Sequence, residues 1–177
     1  MPDSQLGGLF PLRQKETRES NKEMTLETVN VKPKISYSAV VLSEESRDLL
    51  LQKFQERIPE GWEAVAHHMT VKMGELPAEL KESIGLPITL KVTAYFSDDL
   101  VAAVTVLPPA ELKSFLTNKN PHITLAVNRS AGGKPVMSNK MIETSLASME
   151  SEDRVGPFFT PFTLTGNLTE VPFAVKE

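Results

Sequence analysis

His68-Met69-Thr70-Val71-Lys72-Met73 alternates polar and apolar residues, and His122-Ile123-Thr124-Leu125 opens the same way before running on into Ala126-Val127-Asn128. Successive side chains of a strand point to opposite faces. In the first stretch that puts His68, Thr70 and Lys72 on one face and Met69, Val71 and Met73 on the other. In the second it puts His122, Thr124, Ala126 and Asn128 on one face and Ile123, Leu125 and Val127 on the other. Each stretch therefore reads as a strand with an apolar face for a core and a second face bearing a histidine, then a threonine.

Outward from these strands the chain mixes both kinds of element. Residues 35–42 read as a strand. Ser43 caps a helix whose first turn carries Glu44 and Glu45, the right sign for the positive helix end, and whose Leu49, Leu50 and Phe54 lie at helical spacing. The strand with the first motif is expected over residues 62–72, and a short helix over 76–84, stopping at Gly85. Residues 87–96 and 100–107 read as a hairpin joined by Ser97-Asp98-Asp99. A polar or helical connection leads to Pro121 and a strand over 122–128. A turn at Gly132-Gly133, a helix over 136–149, a charged loop over 150–156 and a last strand over 162–171 complete the body. The fold class is α+β. No tandem repeat is present, but each half is strand-rich and ends in a strand carrying His-x-Thr.

Residues 1–32 are polar, charged and short of apolar periodicity, and such a stretch buries too little surface to offset its ordering entropy. They are expected to form a flexible or docked extension, with Leu9-Phe10-Pro11-Leu12 as the docking point, ahead of a single domain over 33–177. The chain of 177 residues has no cysteine, which excludes disulfides, thiolate metal sites and cysteine nucleophiles. Its net charge of −4 argues against coating long nucleic acid by bulk electrostatics. No apolar run approaches a bilayer span of roughly 20 residues. A soluble, monomeric, cytoplasmic or nuclear protein with no membrane partner is the expectation.

Two histidines suit phosphodiester cleavage. Neutral imidazole takes a proton from an attacking hydroxyl or water, and imidazolium gives one to the leaving oxygen. A threonine two residues on brings a hydroxyl to a non-bridging phosphate oxygen. Two such pairs facing each other would grip a phosphate from both sides without a metal. His67 is expected on the opposite face from His68, in a structural role, and a zinc site from His67, His68 and His122 lacks the further ligands it needs. Lys72 and Arg129 are candidate substrate-binding cations, with a solvated strand-end lysine and a surface arginine as the plainer readings. Lys134 joins Arg129 as a candidate rim, and Gly132-Gly133 serves the turn. Tyr37, Tyr95, Phe96 and Trp62 are candidates for stacking on a base, against a plain role in the core.

The pairs His68-Met69-Thr70-Val71 and His122-Ile123-Thr124-Leu125 resemble the paired His-x-Thr/Ser-hydrophobic signature of the 2H phosphoesterase superfamily, with the cyclic phosphodiesterase domains of fungal-type tRNA ligases as the nearest likeness. The resemblance covers roughly residues 35–171 and carries its own expectations. It implies a bilobed, LigT-like fold with a pseudo-twofold axis, two antiparallel-rich sheets lining a central cleft, and flanking helices. It implies His68 and His122 as the acid–base pair, Thr70 and Thr124 as phosphate binders, and no metal or other cofactor. The implied activity is opening of 2′,3′-cyclic phosphates at RNA ends or on nucleotides, in RNA repair or tRNA splicing, with tethering to an RNA-ligase system and a 2′-phosphate product. Cleavage of 2′-5′ linkages or cyclic oligonucleotides by the same site, or non-catalytic binding of an RNA end, are the alternatives. The motifs leave open which histidine is the base.

Overall fold

The computed structural model describes residues 32–149 and 159–174. The expected extension over 1–32, apart from Lys32, and the expected loop over 150–156 lie outside the described residues. The unit that carries both motifs spans Ile35–Glu177.

Its elements run β1 (Ile35–Leu42), α1 (Glu44–Phe54), β2 (Glu63–Ala64), β3 (His68–Met73), α2 (Ala78–Lys81), β4 (Pro87–Ser97), β5 (Val101–Leu107), α3 (Ala110–Lys113), β6 (His122–Val127), α4 (Met137–Ser148) and β7 (Phe162–Pro172). Ser43 caps α1 as expected, its hydroxyl accepting from the Ser46 N–H at 3.2 Å. The strand expected over 62–72 is broken: Ala66 sits at φ 40°, in the left-handed region, and parts β2 from β3. A side chain with a Cβ is costly there. The Ala66 N–H is nonetheless satisfied by the Thr124 carbonyl at 2.9 Å, and its methyl is fully buried.

All strand pairs are antiparallel, in the order β2-β6-β3-β1-β7-β4-β5, and β5 also pairs with β6. The sheet therefore closes on itself. The two separate sheets expected above are one hydrogen-bonded sheet, because β6 takes β5 on one edge and β2 and β3 on the other. Among the described residues, closure of the sheet pairs each long strand on both sides, so none of them is an edge strand. The main core fills one face, with Val40, Met69, Val71, Leu90, Val92, Val104, Ile123, Leu125, Leu164 and Leu168 meeting Leu50 and Phe54 of α1. Each such side chain contributes roughly 1.5–3 kcal/mol of burial. A second cluster packs Met141 and Ile142 of α4 against Phe96, Val101, Ala103 and Val127 on the other face.

The halves repeat one another in their backbone register. Val41, Val40 and Ala39 pair with His68, Met69 and Thr70, and then Ser38 pairs with Lys72, skipping Val71. Thr105, Val104 and Ala103 pair with His122, Ile123 and Thr124, and then Ala102 pairs with Ala126, skipping Leu125. Each motif strand thus bulges at the residue after its threonine, and a bulge turns the following side chains to the other face. The bonds beyond the ladders match too. Leu42 N–H reaches the His67 carbonyl and Val106 N–H the Pro121 carbonyl; Gly74 N–H reaches Ser36 and Asn128 N–H reaches Leu100.

Candidate active site

The two motif strands meet at one bridge, Met69 opposite Ile123. Both of those side chains point into the core. Antiparallel order around the bridge sets His68 abreast of Thr124 and Thr70 abreast of His122. All four line one cavity of about 280 Å³, together with Val65, Met73, Thr117 and Asn118, and Pro135, Val136 and Asn139 at the start of α4.

His122 is 9 % exposed, and its Nδ1 lies 2.8 Å from the Asn120 carbonyl. A carbonyl only accepts, so Nδ1 carries the proton and neutral His122 keeps a bare Nε2. Burial holds His122 below the usual imidazole range, against an opposing pull from the Asn120 carbonyl. Thr124 is also buried. Its Oγ1 lies 2.8 Å from the buried Ser138 Oγ and donates to the Pro135 carbonyl at 3.3 Å.

His68 is half-buried. Tyr37 stacks on it with ring centroids 5.0 Å apart and planes 29° apart. Burial first, then the neighbouring rings of His67 and His122, pushes His68 down to about 4. Burial also raises Tyr37, so its phenol stays protonated. His67 departs from its expected place. The break at Ala66 ends strict alternation, and His67 is exposed with its Nδ1 2.9 Å from His68 Nδ1.

Lys72 and Arg129 do not line the cavity. The bulge at Val71 puts Met73 there in place of Lys72. Arg129 instead forms a forked pair with Glu63, Nε to Oε2 at 3.1 Å and an η nitrogen to Oε1 at 3.2 Å, which lowers the glutamate and raises the arginine. Lys134 is exposed and also absent from the lining. The bulge at Leu125 likewise turns Ala126 into the core and Val127 to the α4 side. Of the aromatic candidates, Tyr95 stacks on Phe54, Trp62 packs on the main core, Phe96 joins the second cluster, and Tyr37 stacks on His68. Ser138, Thr117, Asn118 and Asn139 were not singled out by sequence, because small polar residues carry no signal until the fold gathers them. Among the described residues no cluster of three or more His, Cys, Asp or Glu side chains is placed to hold a metal ion, and no helix is long and apolar enough to cross a membrane.

No protein-family model matches the chain, and no curated protein does. Among solved structures it is similar to E. coli LigT, crystallised in complex with NADP+, at 20 % identity, with 81 % of this chain and 96 % of that one covered and a TM-score of 0.35. At that TM-score the superposition is loose, and the chemistry of the cavity rests on the residues that line it.

Proposed function

We propose that the protein is a phosphodiesterase that opens 2′,3′-cyclic phosphates, at RNA ends or on nucleotides, by acid–base catalysis between two histidines and without a metal. The observation that carries this reading is the crossed placement of His68, Thr70, His122 and Thr124 around one cavity. With its Nδ1 proton committed to Asn120, neutral His122 offers Nε2 to a water molecule and acts as the base. The activated water attacks phosphorus in line, the bond from phosphorus to one ribose oxygen breaks, and His68 protonates that oxygen. Thr70 and Thr124 donate to the non-bridging oxygens as charge builds there.

Burial is the main cause that holds His68 down, and a bound phosphodiester anion beside its ring opposes that effect by favouring the charged form. The substrate thus arms its own acid. The cavity sits just below the roughly 300–1,000 Å³ of common ligand pockets. That size favours a single nucleotide end over a long polymer segment. A 2′-phosphate product and a place in RNA repair or tRNA splicing are what the sequence resemblance to tRNA ligase domains implies.

The test is turnover in EDTA of 2′,3′-cyclic mononucleotides, of an RNA ending in a cyclic phosphate, and of a 2′-5′-linked dinucleotide. Release of a monoester from either cyclic substrate is the expected result. Turnover of the 2′-5′ linkage alone reassigns the substrate. Saturable binding of the cyclic nucleotide with no turnover of any substrate makes the cavity a binding site.

A further inference from the structure

His67 presents a problem of proton supply. His68 faces the cavity and is half-buried, so a positive charge on its ring is poorly solvated. Yet the reading above, on which this inference rests, needs His68 to deliver a proton. The rings of His67 and His68 meet edge to face with centroids 5.1 Å apart, and the 2.9 Å between their Nδ1 atoms is a hydrogen-bond distance. Two nitrogens in hydrogen bond share one proton, so the pair cannot carry a proton on both Nδ1 atoms.

We propose that the two rings work as one acid, in which the positive charge resides on exposed His67 and the proton leaves from Nε2 of His68. In the loaded state His67 bears protons on both nitrogens and donates Nδ1–H to the bare Nδ1 of a neutral His68, whose Nε2–H points to the substrate. As the leaving ribose oxygen takes the Nε2 proton, the Nδ1 proton passes from His67 to His68. Both rings end neutral, and one proton has moved to the new hydroxyl. Solvent then protonates His68 Nε2 in the emptied cavity as the Nδ1 proton returns to His67. His67 never touches the substrate; it is a positioning residue that keeps the charge in water.

The surroundings allow this. His122 of β6 is the other titratable group facing His68, Tyr37 of β1 covers its ring with a phenol that stays neutral, and no described lysine, arginine or carboxylate lines the cavity. From α1, Arg47 donates Nε to the Val65 carbonyl at 3.3 Å. The His67 carbonyl is tied to the Leu42 N–H, which fixes the backbone that presents the ring.

The experiment compares kcat against pH for the parent, His67→Ala and His67→Asn on a 2′,3′-cyclic mononucleotide. Loss of this partner is expected to lower kcat on the order of tenfold in both variants, less than the roughly 10²–10⁴-fold that a general acid itself contributes. External imidazole should restore His67→Ala. Parental kcat in either variant, or a loss that imidazole leaves untouched, overturns the proposal. His67→Asn matters because an amide keeps a hydrogen bond but cannot hold the charge. Nitrogen-15 NMR of the histidine rings decides even if no diester is turned over. Coupled titration of His67 and His68 in the parent, replaced by a single step for His68 in His67→Ala, supports the pair. Independent titration in the parent overturns it.

Discussion

Ser138 is fully buried, and its hydroxyl has one evident purpose: it lies 2.8 Å from Thr124 Oγ1. By donating to Thr124 it leaves the Thr124 proton, held by the Pro135 carbonyl at 3.3 Å, to turn to a phosphate oxygen when substrate binds. Replacing Thr124 by valine should cost about a hundredfold in kcat, as loss of one donor to a developing oxyanion does. Ser138→Ala should cost about fivefold, the value of one ordinary hydrogen bond; steady-state kinetics on the two variants checks the order. The depressed histidines make a second prediction. If an anion in the cavity favours the protonated form of the His68 acid, binding of inorganic phosphate takes up protons from solution. Calorimetry in buffers of different ionisation enthalpy should show that uptake at pH 7, reduced in His68→Ala, whereas identical apparent enthalpies in all buffers would contradict it. Among single residues, the four motif side chains that line the cavity could be picked out of the sequence because both stretches set the same residue types in the same order on one strand face. His67 was misread because a left-handed Ala66 leaves no mark on the alternation of types, and alternation was the only guide to where each ring points.

At the level of elements, nearly every strand was legible, because half-buried strands write their two faces as period two. The bulges at Val71 and Leu125 were not, since a bulge is a property of two strands in register and neither sequence alone contains it. They decide that Met73 lines the cavity and Lys72 does not. Sequence likewise gave no sign of how closely β7 approaches β1. A Cβ at Gly166 would stand 2.5 Å from the Val41 carbonyl oxygen and 2.8 Å from Val40 Cγ1. Backbone cannot yield as a side chain can, so Gly166→Ala should destabilise by about 1–3 kcal/mol. Urea unfolding measures it, and an unchanged midpoint would refute the close approach. Gly133 is as tight, since a Cβ there would run into the Leu100 carbonyl. A change at Gly133 pushes on the link to Pro135 and Val136, and so on the cavity wall.

Across the whole molecule, the closed sheet makes the site a product of the fold's own repetition. Two halves of unlike sequence reach the same register, the same bulge and the same flanking bonds, and their motif strands meet at a single bridge. Closure of the sheet could not be read from the chain, because the β5–β6 and β3–β6 pairings join segments that no local pattern links. The buried imidazoles also bear on global stability. His68 is pushed from 6.5 to about 4 by burial and His122 is lowered as well, so in that interval the unfolded chain binds protons that the folded one refuses. Stability therefore rises with pH across the window and falls as pH drops from about 6.5 towards 4. The midpoint of thermal unfolding should fall over that range, and fall less in a variant with both histidines replaced.

The central claim is that the two motifs form one catalytic unit, and the kinetics of single and double variants test it most directly. With a 2′,3′-cyclic mononucleotide in EDTA, His68→Ala and His122→Ala should each lose at least about a hundredfold in kcat, within the range of acid–base catalysis. The double variant should be little worse than either single one, because groups that act in one step are not additive. Parental activity in either single variant, or losses that simply multiply in the double, would contradict the account.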